Sequence, residues 1–175
     1  MGYMGLEFYR YEIMRKIFVL MALMMSLLSG CSIMTDKQEI SNVTAPKIMF
    51  DKIIKALDNK DHKTLKNLFS TRVLEKTPNI DKEIDDLFEL YQGKFVSNSS
   101  FDSGAGTGEK RYGKWIYLNI GPHIKELKTD KAIYEMTFNS VPVHDEYPDD
   151  IGLSRILLKL KDGDKVIQTC MVGEE

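Results

Sequence analysis

The chain has 175 residues, 43% of them hydrophobic and 29% charged, with 24 Lys and Arg against 26 Asp and Glu for a formal net charge of −2. That balance lacks the basic excess of a nucleic-acid binder, so nucleic acid is not an expected partner. The two cysteines, at 31 and 170, do not make a disulfide framework, so stability has to come from a hydrophobic core.

Residues 17–28 are apolar except for Ser26, and they come directly after Arg15-Lys16. About a dozen such residues match the apolar region of a signal peptide and are too short to span a bilayer as a helix. Leu28, Ser29 and Gly30 then precede Cys31, an order that resembles the lipobox of bacterial lipoproteins. The resemblance implies a signal peptide over 1–30, cleavage before Cys31, and a diacylglycerol on the Cys31 thiol. The expected location is then the extracytoplasmic face of the cell membrane, with the lipid bilayer as a partner. Two acyl chains at about 0.8 kcal/mol per buried methylene make a stable anchor. Residues 1–13 carry Tyr3, Phe8, Tyr9 and Tyr11 with Glu7 and Glu12 ahead of the basic pair. Met14-Arg15-Lys16 is the more compact positive start, so translation is expected to begin at Met14.

Removing residues 1–30 leaves 21 basic and 24 acidic residues and takes away six of the ten methionines. The remainder, about 145 residues, suits one domain with a real core. Residues 32–44 are polar and aperiodic and read as a tether, which leaves a single α+β domain over 45–175. Phe50, Ile53, Ile54 and Leu57 recur at helical spacing, with Pro46 tolerated in the first turn. Asp61 is a candidate N-cap for a second helix carrying Leu65, Leu68 and Phe69. Thr77-Pro78 reads as the cap and first position of a third helix, with Ile80, Ile84, Leu87, Phe88 and Tyr91 on one face and Gly93 at its end.

Beyond Lys94 the period changes to that of strands, expected over 94–101, 113–120, 132–139, 153–161 and 165–172. The Gly/Ser-rich segment 102–108 separates the first two as a hairpin loop, and Asp162-Gly163 is a tight-turn signal before the last. Three helices and then a meander predict an α+β domain with helices on one face of an antiparallel sheet.

The same order resembles the nuclear-transport-factor-2-like fold, in which a curved sheet wraps around helices as a cone; residues 56–70 look like its helix-break-helix opening. More narrowly, LeuPheGluLeuTyrGlnGlyLysPheVal (87–96), LysThrAspLysAlaIleTyr (128–134) and AspIleGlyLeuSerArgIle (150–156) resemble the domain-of-unknown-function 5104 family of bacterial lipoproteins. That resemblance implies a fold and an address, with no catalytic residues to carry over.

A cone of this kind holds a pocket between sheet and helices, and Phe88, Tyr91, Trp115, Tyr117, Tyr134 and Phe138 are the aromatics expected to line it or to pack as core. His123 and the pair His144-Asp145 are the candidates for acid–base chemistry, since His62 lies on a polar helix start. Both are expected at strand ends or in loops. Asp145, Glu146, Asp149 and Asp150 match no calcium-loop spacing and read as a solvated loop, so no metal is expected. Residues 104–108 lack the Gly-Lys-Ser/Thr and subsequent helix that phosphate cradling needs, and no cofactor is implied. Cys170 sits in a strand-like stretch and reads as a buried structural thiol. The favoured function is a membrane-anchored, non-enzymatic domain that binds a small ligand or an envelope protein. The alternatives are a small extracytoplasmic enzyme using a cone-facing His and a purely structural interaction module.

Overall fold

The structure is a computed structural model that describes residues 44–102 and 106–174. The expected signal peptide over 1–30, Cys31 and all of the expected tether but Thr44, which begins the first helix, lie outside the described residues. Among the described residues four α-helices come first: α1 (Thr44–Asn59), α2 (His62–Lys66), α3 (Thr71–Lys76) and α4 (Ile80–Leu90). Seven strands come after them: β1 (Phe95–Asn98), β2 (Thr107–Arg111), β3 (Lys114–Ile120), β4 (His123–Thr129), β5 (Ile133–His144), β6 (Gly152–Asp162) and β7 (Lys165–Gly173). The fold is α+β.

The long helices form where the apolar period is 3.6. α1 buries Phe50, Ile53, Ile54 and Leu57, and α4 buries Ile80, Ile84, Leu87 and Leu90. α1 stops in a Schellman geometry: Lys60 adopts φ 50°, its N–H donates to Leu57, and the Asp61 N–H donates to Ala56 at 2.9 Å. A left-handed Lys costs energy that Gly would not. Its ammonium offsets that cost by donating to the Phe88 and Tyr91 carbonyls at the end of α4. Asp61 then caps α2, accepting from the Thr64 N–H at 2.9 Å.

The helix count differs from the sequence expectation. α3 is an extra helix, capped by Ser70, whose hydroxyl accepts from the Val73 N–H. Thr77 is the C-cap of α3 and not the N-cap of α4. A residue before proline is pushed out of helical geometry, and Thr77 sits at φ −112°, ψ 81°. α4 therefore starts at Ile80, two residues after Pro78.

β5 is the spine of the sheet. β6 pairs along one edge of it, over residues 133–141. The other edge is shared, β4 pairing with 133–137 and β3 with 140–144. Beyond them β1 pairs with β4 and β2 with β3, and β7 closes the far side on β6, all antiparallel. Along β5, Tyr134, Met136, Phe138 and Ser140 are fully buried while the alternate residues are partly exposed, so one sheet face meets the helices. Segment 68–70 docks on the start of β6: the Leu153 N–H donates to the Leu68 carbonyl and the Ser70 N–H to the Leu153 carbonyl.

β2 and β4 were not among the expected strands. β2 is exposed at all five positions, so it shows no alternation. In β4 a register shift falls between Ile124 and Leu127, which spaces its two buried hydrophobic residues three apart and disguises the period. The final hairpin turns on Gly163-Asp164, one residue later than expected, because Gly163 supplies the positive φ (59°) and Asp162 pairs with Lys165.

Candidate functional site

The six aromatics expected to line a cavity are dispersed. Tyr91, Tyr134 and Phe138 have no solvent-accessible surface. A ring that no water-sized sphere can touch borders no void able to hold a ligand, so these three are packed core. The Tyr91 and Tyr134 rings stack at 5.6 Å. Tyr91 donates its hydroxyl to Asp58 at 2.9 Å, and Tyr134 donates to the Leu90 carbonyl at 2.9 Å while accepting from the Gln92 N–H at 2.7 Å. Burial, then the Asp58 hydrogen bond and charge, push the Tyr91 phenol far above its ordinary pKa.

Of the other three, Phe88 and Trp115 are half-buried and pack against the margin of the core, and Tyr117 is outside it. On β3 the buried residues are Leu118 and Ile120, so Trp115 and Tyr117, at odd positions, belong to the opposite parity from these and from the inward residues of β5. Trp115 is half-buried against Gly108 of β2, with the Lys110 ammonium 4.4 Å from its ring centre. Tyr117 packs edge-on to His144, which packs edge-on to Tyr147, both at 4.9 Å. These three rings line an open groove of about 330 Å³ with Glu109, Arg111 and Asp145. Phe88 is half-buried beside Lys60 and His62.

The histidines occupy the strand ends and surface helix positions that the sequence suggests, and their chemistry is set by their partners. His144, the last residue of β5, accepts the Tyr147 N–H at Nδ1 (3.2 Å). In the neutral ring the proton then sits on Nε2, so that nitrogen is a donor and not a base. Among the described residues no carboxylate pairs with it. His123, the first residue of β4, places Nε2 3.2 Å from the Glu135 carboxylate, which also accepts from the Lys159 ammonium at 2.7 Å. The Lys159 hydrogen bond is the main reason the Glu135 carboxyl titrates below its ordinary value. These residues occupy the outer parity of β5 and β6, away from the helices. His62 lies 3.6 and 3.8 Å from Asp81 and Asp85 on the surface between α2 and α4.

The acidic loop is partly committed: Asp150 pairs with Arg72 at 2.6 Å. Among the described residues no three His, Cys, Asp or Glu side chains converge as metal ligands would. Cys170 is a free, half-buried thiol on β7 whose Sγ faces the Glu83 carbonyl of α4 at 3.9 Å. Burial first, then the charges of Asp86 and Glu83, push its pKa up to about 11, which makes it a poor nucleophile.

A recess missed by sequence reasoning lies between α1 and the sheet, with a volume of about 190 Å³. One wall is the start of α1, with Ala45, Ile48 and Met49; the other is Ile120 with Val141-Pro142. Ser140 also lines it and is fully buried, and its Oγ has no hydrogen-bond partner among the described residues. Two register shifts converge on this residue, one in the β3–β5 pairing and one in β5–β6. Gly152 closes the end of the recess at φ 134°, where a Cβ would lie 2.7 Å from the Ser70 nitrogen. The sequence held one readable sign: Ser140 continues the inward series 134, 136, 138, a polar residue on an apolar face.

These features define an α+β domain whose helices cover one face of an antiparallel sheet, with an apolar recess beside the first helix. The chain belongs to the family described as a domain of unknown function, DUF5104, whose family model matches residues 52–163. The match begins within α1 and ends at the β6–β7 turn. No match to the chain was found among curated proteins.

Proposed function

We propose that the chain is a lipoprotein held at the extracytoplasmic face of the cell membrane by a diacylglycerol on Cys31, and that its domain is a non-enzymatic binder of a small ligand. The anchor is supported by the basic, apolar, small-residue and Cys order over 15–31. The nuclear-transport-factor-2-like cone is our reading of the fold, supported by the helices-first order and by a spine strand whose free edge is shared between two shorter strands.

The observation that carries ligand binding is the recess, which is lined mainly by apolar side chains. Against the enzyme alternative, neither His123 nor His144 lines that recess, and His144 lacks a free basic nitrogen in its hydrogen-bonded tautomer. Xenon is a suitable neutral probe of an apolar cavity. Under xenon pressure the methyl signals of Ala45, Ile120 and Val141 in the purified full chain should shift and those of Val96 should not; unshifted recess methyls refute the binding reading. Independently, Cys31→Ser should move the protein out of the membrane fraction, and unaltered fractionation refutes the anchor.

A further inference from the structure

We propose that the groove at the end of β5 binds an organic cation, a methylated ammonium on an otherwise uncharged body, held against the rings of Tyr117, His144 and Tyr147. The groove shares no lining residue with the recess beside α1, so this inference stands independently of the ligand-binding reading above.

Strand pairing builds one wall. Glu109 of β2 stands opposite Tyr117 of β3, and Tyr117 opposite His144 of β5, which sets the three side chains in a row across one face. His144 owes its place in that row to a register shift. Residues 134, 136, 138 and 140 of β5 face the helices, and unbroken alternation would send 144 inward with them. The β3–β5 register shifts between the Ile120–Ser140 and Leu118–Val143 pairs. Val143 then packs on the core and His144 turns outward beside Tyr117. Bulges re-aim side chains in this way next to binding sites.

The turn after β5 supplies the second wall. The Asp145 N–H donates to the Ile116 carbonyl at 2.8 Å, the Tyr147 N–H to His144 Nδ1 at 3.2 Å, and the Asp150 N–H to the Tyr147 carbonyl at 3.1 Å. These bonds hold the Tyr147 backbone in place before any ligand arrives, which lowers the entropic cost of binding. Successive rings meet at 62° and 82°, as adjoining sides of a box do. All three rings are reachable: Tyr117 and His144 are half-exposed, and Tyr147 is 53% exposed. The Arg72 guanidinium lies 5.9 Å from the Tyr147 ring centre and pairs with Asp150, but it does not line the groove.

Charge selects the ligand. The faces of aromatic rings attract cations through their quadrupole. The lining adds the carboxylates of Glu109, Asp145 and Glu146 against the single guanidinium of Arg111. Arg111 lies 3.5 Å from Glu109, whereas Asp145 and Glu146 have no ion pair among the described residues. An anion would be repelled, and a metal ion would find no three converging ligands among the described residues. A methylated ammonium suits both features, because its methyl groups pack on rings while its charge meets the carboxylates. The volume of about 330 Å³ lies at the small end of ligand clefts.

Choline and 3,3-dimethyl-1-butanol test this, being alike in shape and differing by the charged nitrogen. Binding to the purified full chain is followed by backbone amide shifts, with Tyr117, His144 and Tyr147 reporting on the groove. Choline should bind about tenfold more tightly than the neutral alcohol. Tyr147→Leu keeps an apolar side chain at an exposed site, and it should cut that preference to about threefold with an unchanged melting temperature. Asp145→Asn should weaken choline and leave the alcohol unmoved. Phosphocholine presents the same cation as a lipid headgroup does, and its phosphate faces the carboxylates, so it should bind more weakly than choline. Equal binding of choline and the alcohol, a preference unmoved by Tyr147→Leu, tighter binding of phosphocholine, or no shifts at the groove each overturns this inference. None of those results bears on the recess, which the xenon experiment tests separately.

Discussion

Tyr134→Phe removes a single oxygen and keeps the ring, so it separates a core tyrosine from a ligand-facing one. In the structure the hydroxyl joins β5 to the end of α4, donating to the Leu90 carbonyl at 2.9 Å and accepting the Gln92 N–H at 2.7 Å. Leu90 is 4% exposed, so its carbonyl would be left without a partner in a dry environment, at a cost of about 1–2 kcal/mol. Gln92 is exposed, so its N–H finds water and adds about 0.5 kcal/mol. The sum is about 2 kcal/mol, against about 3–5 kcal/mol for deleting the whole ring. For a domain of this size that is a fall in Tm of about 6–10 °C. Denaturant unfolding of wild type and variant measures it, with amide exchange at Gln92 as a local readout that should quicken. A loss below about 0.5 kcal/mol with unchanged Gln92 exchange would refute the reasoning. Tyr134 would then count again among the rings free to face a ligand.

Three further outcomes are expected. Trp115→Ala should cost about 2 kcal/mol, less than a fully buried tryptophan, because the ring is half-buried over an edge strand; a loss above about 4 kcal/mol in urea unfolding would show that it is core. The Glu135 carboxyl titrates below its ordinary value of 4.5 when folded, so its pairing stabilises the protein above about pH 4.5 and is lost as the pH falls through the lowered value. The Tm gap between wild type and Glu135→Gln should therefore narrow from pH 6 to pH 3, and a constant gap would refute the pairing. Cys170, with its pKa near 11, should react with a thiol reagent at pH 8 about 100-fold more slowly than a free cysteine until the protein is denatured.

Local chemistry was legible along the chain wherever one element decided it. The 3.6-residue spacing of Phe50, Ile53, Ile54 and Leu57 found α1, Asp61 was recognisable as a cap, and strict alternation over Tyr134, Met136 and Phe138 found β5. Parity alone could have divided the aromatic set as well, since Trp115 and Tyr117 fall opposite Leu118 and Ile120. Short elements were less visible. α3 is too short to show a period, β2 buries nothing, and the β4 bulge moves Leu127 out of phase with Ile124.

The order of the amino acids was thus enough for the family, the helices-then-sheet arrangement and the inward faces of β5 and β6, because the regular elements show in side-chain spacing within single segments. It took the packed fold to establish that Tyr91, Tyr134 and Phe138 fill the core, that His144 has its Nδ1 occupied, and that a recess opens at Ser140. Each of those depends on contacts between separate elements: α4 against β5, the turn after β5 folding back on it, and α1 crossing the point where two strand registers shift. Spacing cannot encode such meetings, since a residue's neighbours across the fold are set by how whole elements pack and pair.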